Sequence, residues 1–214
     1  MRSILVVLAA SLTAAVSTAA AQERLVLEPY PDAQVWKEVT HDTVSAKFLI
    51  ERVPSGQTAR NYKDILSAQS LPDQRGVNPS QALKGIFQLA GGNCDSVRVY
   101  GPKAQVAGGF NVAYGQVYCD RQRGKSFGVK MFYKIFQGAD AQYVVLRERR
   151  VPPSTVAGIP PFTKDQFAAA MEEMNSEALA NNYLVQSVYL CSASSTKVRC
   201  NSQPPSWRHR RLFP

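Results

Sequence analysis

Residues 126–137, SFGVKMFYKIFQ, carry the clearest strand pattern of the chain. Five apolar side chains recur at every second position: Phe127, Val129, Met131, Tyr133 and Ile135. Lys130, Phe132 and Lys134 alternate with them. A period of two is typical of a β-strand with one half-buried face. This stretch therefore predicts a central strand of a sheet.

The flanking segments predict antiparallel partners for that strand. Residues 109–119, GFNVAYGQVYC, and 141–150, AQYVVLRERR, also alternate, and polar turns join them to the central strand. Consecutive strands joined by short turns pair antiparallel. Past Gly115 the apolar positions change face, which predicts a β-bulge there. Three further strands are expected near residues 44–50, 61–71 and 97–99, although 61–71 also fits a short helix.

Two helices are predicted around this meander. In the first, Asn78 is a cap residue and Pro79 occupies the first helical position. Its apolar face holds Leu83, Ile86, Phe87 and Ala90. The second helix begins with a capping box formed by Thr163 and Gln166. Its predicted apolar stripe holds Phe167, Met171, Met174 and Ala178 and continues through Val185 and Val188.

These elements predict the α+β class, with an antiparallel meander of about five to six strands packed against two or more helices. The layout loosely resembles a Mog1/PsbP-type sandwich, and the resemblance is one of layout without a shared residue motif. A single domain is expected over residues 22–200, preceded by a signal peptide at 1–21 and followed by a basic, aromatic tail at 201–214.

The first residues predict export. Arg2 precedes an apolar run from Ile4 to Val16, and the small residues Ala19-Ala20-Ala21 precede Gln22. This order is typical of a secretory signal peptide, whereas a buried helix would not need it. A bacterial protein of the periplasm or the exterior is expected. No later apolar run is long enough to predict a transmembrane segment in the mature chain.

The four cysteines predict two disulfides. In an oxidising compartment cysteines pair, and four cysteines allow three connectivities. Cys191 and Cys200 are close in sequence, which leaves Cys94 for Cys119. The spacings do not fit a zinc site or a redox C-x-x-C motif, so no metal or cofactor is expected.

No catalytic motif is evident in the sequence. A G-x-S-x-G elbow is absent, and His41 fits a turn residue better than a general base. RQRGKS at 121–126 lacks the first glycine of a phosphate-binding loop, because Cys119 stands there. The sequence therefore favours a non-catalytic interaction or binding domain, with an uncharacterised hydrolase as an alternative.

Basic residues suggest a second alternative, a module that binds anionic lipid or glycan. The formal net charge of the chain is +9, which favours anionic partners. Nucleic acid is not expected among them, because the protein is predicted to be exported. The candidate binding residues are Arg147, Arg149 and Arg150 in LRERR, and Trp207, Arg208, Arg210 and Arg211 in the tail. Such residues can dock on an anionic envelope surface. If the protein is instead a non-catalytic interaction domain, the expected partner is another envelope protein.

Signal cleavage generates the first testable prediction. We expect the exported protein to begin at Gln22, because the small residues before it suit signal peptidase. Intact-mass analysis of the exported protein checks this. The mass of the full precursor in that fraction would contradict the prediction.

Overall fold

A computed structural model describes residues 23–32, 34–44, 47–153, 164–192, 195 and 200. Within these ranges the chain forms nine strands, two α-helices and a 3-10 helix at Pro72–Gln74. Their bounds are β1 Arg24–Leu27, β2 Trp36–Val44, β3 Lys47–Pro54, β4 Asp64–Leu71, α1 Pro79–Asn93, β5 Val97–Ala107, β6 Phe110–Cys119, β7 Gly128–Gln137, β8 Gln142–Val151, α2 Lys164–Gln186 and β9 Val188–Cys191.

The predicted α+β class is confirmed. Seven strands form one antiparallel sheet in the order β2-β3-β4-β8-β7-β6-β5, and β1 pairs with β9 in a small sheet. The predicted number of five to six strands is too low, because β1, β2 and β9 were not expected. β2 is an edge strand with exposed charged side chains, so it lacks the apolar alternation of an inner strand. His41, expected in a turn, lies within β2 beside Glu38.

Helix α1 agrees with its prediction. The Asn78 side chain accepts a hydrogen bond from the Ser80 backbone N–H at 2.9 Å, and Pro79 is the first helical residue. Leu83 and Ala90 are buried against β6 and β7, with Ile86 and Phe87 partly buried beside them.

The disulfides join the predicted pairs. Cys94 is bonded to Cys119, and Cys191 is bonded to Cys200. The first bond ties the end of α1 to the end of β6, and the second closes a loop after β9. Each bond restricts the unfolded chain and so stabilises the folded state.

Helices cover both faces of the large sheet, which explains why the apolar pattern changes face along β6. Ala113 and Val117 belong to the apolar cluster beneath α1. Val112 faces the opposite way, towards α2, β1 and β9. The β-bulge predicted near Gly115 lies instead on the neighbouring strand β5, where the register shifts between Tyr100 and Lys103.

Helix α2 shows a face different from the predicted one. Met171, Met174, Ala178 and Val185 are exposed, which contradicts the expected stripe. The side chains of Gln166 and Phe167, and all of Thr163, lie outside the described residues. Along the other side of α2, Glu173, Ser176, Glu177, Ala180, Tyr183 and Leu184 contact the protein body. The helix ends at Gln186, and Val188 belongs to strand β9.

The first half of this α2 face is charged because the sheet beneath it is charged. Asp64 on β4 lies 2.5 Å from Arg147 and 3.4 Å from Arg149, and all three are buried. Ser176 accepts hydrogen bonds from both guanidinium groups at 3.0 and 2.9 Å. Glu173 lies 2.9 Å from Arg149, so the helix supplies counter-charges to the sheet.

Lys130 on β7 extends this charged layer. Its ammonium lies 3.2 Å from Glu173 and also contacts Glu177. We call the six ionised side chains the α2 charge network; they are Asp64, Lys130, Arg147, Arg149, Glu173 and Glu177. Its three positive and three negative charges balance, which offsets the cost of burying the charges of Asp64, Arg147 and Arg149. In the part of the chain described here, neither helix is both long and apolar enough to cross a membrane.

The network generates a stability prediction. We expect Asp64→Asn to lower the free energy of unfolding by about 3–5 kcal/mol, because two buried guanidinium groups lose their shared counter-charge. Urea denaturation at neutral pH measures the loss.

Glu172→Gln is the matched control. Glu172 lies 3.8 Å from Arg149, but its side chain is 74% exposed. Its replacement should change the stability by no more than about 0.5 kcal/mol. Equal effects of the two substitutions would contradict the assigned role of Asp64.

Candidate functional site

Three of the arginines predicted to bind anions are described, and these three do not form one surface. Arg147 and Arg149 point towards α2, where they are 3% and 7% exposed and belong to the charge network. Their charges are matched by Asp64 and Glu173, which leaves little attraction for an external anion. Trp207, Arg208, Arg210 and Arg211 lie outside the described residues.

Arg150 lies on the opposite face of the sheet. Its guanidinium carbon is 3.7 Å from the centroid of the Tyr62 ring and 4.6 Å from that of Phe127. Stacking between two rings orients the guanidinium group and stabilises its charge. The Tyr62 hydroxyl donates to Glu148 at 2.8 Å, and burial raises the pKa of Glu148. These contacts give Arg150 a packing role within the domain.

A groove opens on the α2 side of the sheet, where strands β5 and β6 extend past the helix. Its volume is about 580 Å³, within the range of small-molecule sites. We call it the β5–α2 groove. It is lined by Tyr100, Gly101, Lys103, Gln105, Tyr114, Gly115, Gln116, Tyr133, Ala178, Asn181, Asn182, Leu184 and Val185.

The bulge in β5 selects which side chains enter this groove. Tyr100 is opposite Gln116, whereas Lys103 is opposite Tyr114, so β5 contains one extra residue between the two pairs. In a regular strand, Ala104 would lie on the same face of the sheet as Tyr100, because side chains alternate between the faces. The extra residue reverses this alternation, so Lys103 and Gln105 lie on the face of Tyr100 and line the groove.

Gly101 is required at the bulge. Its φ is +100°, a conformation that residues with a side chain rarely adopt. A Cβ atom at this position would also lie 2.7 Å from the Tyr114 carbonyl oxygen. The Gly101-Pro102 pair in the sequence is thus the local signal for one wall of the groove.

Side-chain amides fix much of the groove surface. Gln116 Nε2 donates to Asn181 Oδ1 at 2.8 Å, which joins the sheet to α2. Gln105 Nε2 donates to the Tyr114 hydroxyl at 3.0 Å. Asn182 makes no side-chain hydrogen bond within the described ranges. The amides of Gln116, Asn181 and Gln105 are thus held in place, and Asn182 offers both a donor and an acceptor to a ligand.

Lys134 holds the end of α2 that forms the other wall. Its ammonium lies 2.7 Å from the Leu184 carbonyl oxygen, 3.3 Å from that of Val185 and 2.6 Å from that of Val188. The last carbonyl groups of a helix lack partners within the helix, so a buried lysine can cap them. Lys134 also lies 5.0 Å from the centroid of the Tyr114 ring, on the groove floor.

The polar side chains that line the groove are of few kinds. Among the described lining residues there is no carboxylate, histidine, serine or cysteine. The described part of the chain also contains no group of three or more histidine, cysteine, aspartate or glutamate residues that could hold a metal ion. What the groove offers is hydrogen bonds, tyrosine rings and the charge of Lys103.

No protein-family model matches the chain, and no curated protein matches it in sequence. The geometry of the β5–α2 groove is therefore the basis for a functional proposal.

Sequence reasoning missed the residues that line this groove. Lys103, Gln105, Asn181 and Asn182 carry no motif, and they meet only after the sheet and α2 have packed. Two signals were visible: the GP pair at 101–102, and the Asn181-Asn182 pair in a predicted helix, where asparagine is a poor helix former.

Lys134 generates a pH prediction. Burial lowers its pKa from 10.5 to about 7. Between pH 7 and pH 10.5, this lysine is therefore protonated in the unfolded chain and largely neutral in the folded protein. The stability that depends on Lys134 should therefore rise as the pH rises from 7 towards 10.

The difference in free energy of unfolding between the wild type and Lys134→Met measures this dependence. We expect it to grow with pH by up to about 1.4 kcal/mol per unit. Lys84→Met, at an exposed position of α1, controls for the change in net charge. A difference that stays constant from pH 7 to pH 10 would show that Lys134 keeps its proton in the folded state.

Proposed function

We propose that the protein is an exported, non-catalytic binding module and that the β5–α2 groove receives its ligand. The observation that carries this proposal is the composition of the groove. It is an open site of about 580 Å³ whose described polar groups are amides, tyrosine hydroxyls and one lysine. Such groups can orient a ligand through hydrogen bonds and charge.

Export is part of the proposal. The first 21 residues have the order of a bacterial signal peptide, and the two disulfides are compatible with an oxidising compartment. A ligand in the periplasm or outside the cell is therefore expected, either on another envelope protein or on an envelope surface.

The alternative of an anion-binding module that uses its arginines has weaker support. Arg147 and Arg149 are neutralised within the charge network, and Arg150 is stacked between two rings. This alternative now depends on the tail arginines at 208, 210 and 211. The resemblance to a Mog1/PsbP-type sandwich also remains a proposal, and it is supported by helices on both faces of an antiparallel sheet.

Site-specific photo-crosslinking in the organism that exports the protein tests the function. A diazirine-bearing amino acid replaces Asn182 in the groove wall. We expect a covalent adduct of discrete mass, because a bound ligand would lie against this position.

The same amino acid at position 175 is the matched control. Asn175 is exposed, lies two turns earlier at the equivalent position of the heptad, and does not line the groove. Adducts of the same pattern at both positions, or no adduct at position 182, would show that the groove is not the binding site.

A further inference from the structure

We propose that the ligand of the β5–α2 groove is a short oligosaccharide that carries carboxylate groups. This inference rests on the proposed function and names the chemical class of the ligand. It follows from four properties of the groove: its aromatic rings, its amides, its charge and the interruption of the strand beside it.

Two tyrosine rings provide surfaces for sugar rings. Tyr100 is 50% exposed at the rim, and Tyr114 lies on the floor. The face of an aromatic ring is electronegative, and the C–H groups of a sugar carry small positive charges, so the two surfaces attract each other. The Tyr100 ring is supported from below by the Tyr118 ring, 5.2 Å away between centroids.

The amides match the hydroxyl groups of a sugar. A hydroxyl both donates and accepts hydrogen bonds, and so does the side-chain amide of asparagine or glutamine. Gln116 and Asn181 are joined to each other, and Gln105 is joined to Tyr114, so their remaining donors and acceptors are already oriented. Groups fixed before binding lose less conformational entropy when the ligand arrives.

The charge of the groove favours a negative ligand. Lys103 is exposed at the groove and has no ion pair with the described residues. No carboxylate is present among the described lining residues to compete for it. A carboxylate on the ligand would therefore gain a charge-assisted hydrogen bond, which is stronger than a neutral one.

A peptide is a less suitable ligand, although β5 is the edge strand of the sheet. Extended peptides bind an edge by continuing the backbone hydrogen bonds of its strand. In β5 the bulge at Gly101 and the missing N–H of Pro102 interrupt that row beside the groove. Recognition must then depend on the side chains within the groove.

Chemical-shift titration of the isotope-labelled protein, with three probes of similar size, tests the inference. The probes are a trimer of galacturonic acid, the corresponding neutral trimer of galactose, and triglutamate. At 150 mM salt we expect the uronic acid trimer to shift the amide signals of Lys103, Gln105 and Asn182, and to bind about tenfold more tightly than the neutral trimer. Triglutamate should not shift these signals.

Two variants at lysine positions isolate the charge effect. Lys103→Met should abolish the tenfold preference for the uronic acid trimer over the neutral one. Lys84→Met removes the same formal charge from α1, outside the groove, and should change neither affinity.

The outcomes separate this inference from the proposed function. Groove shifts with triglutamate alone, or equal affinity for the neutral and acidic trimers, would overturn the acidic saccharide as ligand and leave the groove as the binding site. Shifts spread over lysines and arginines elsewhere would show unspecific charge attraction and also overturn it. Absence of groove shifts with every probe, combined with no crosslink at position 182, would overturn both proposals.

Discussion

The position of helix α2 depends on the ionic contacts between it and the sheet. Lys130, Arg147 and Arg149 lie on the inner face of three-layered packing, where unpaired charges would be costly. Asp64 neutralises part of this charge from within the sheet, and Glu173 and Glu177 on α2 neutralise the rest. These ion pairs stabilise the observed rotation of the helix over the sheet, together with the apolar contacts of Ala180 and Leu184.

That rotation explains why the apolar stripe of α2 was predicted wrongly. Met171, Met174 and Ala178 have the correct spacing for a buried face, yet they are exposed. The face that packs is polar in its first half and apolar in its second, through Ala180 and Leu184. A hydrophobic pattern identifies a buried face only when the opposing surface is apolar, and the sequence of α2 contains no information on the sheet beneath it.

Local signals predicted most of the rest. The strands β6, β7 and β8 follow from alternation and short turns, α1 follows from its cap at Asn78, and the cysteine pairing follows from sequence spacing. The short or charged strands β1, β2 and β9 were missed because alternation is weak there. For the same reason Val188 was placed at the end of a helix, although it pairs with Leu27.

Local signals marked single residues of the candidate site but could not predict the site itself, because its walls come from separate elements. One wall depends on a single extra residue in β5, which determines whether Ala104 or Gln105 faces α2. The other wall depends on the charge network and on Lys134, which fixes the carbonyl groups of Leu184 and Val185. The groove thus depends on contacts outside it, so substitutions in the network or at Lys134 should move Asn181 and Asn182 relative to Lys103. One wall of the groove thus belongs to the hydrogen-bonded sheet, and the other is held only by the attachment of α2.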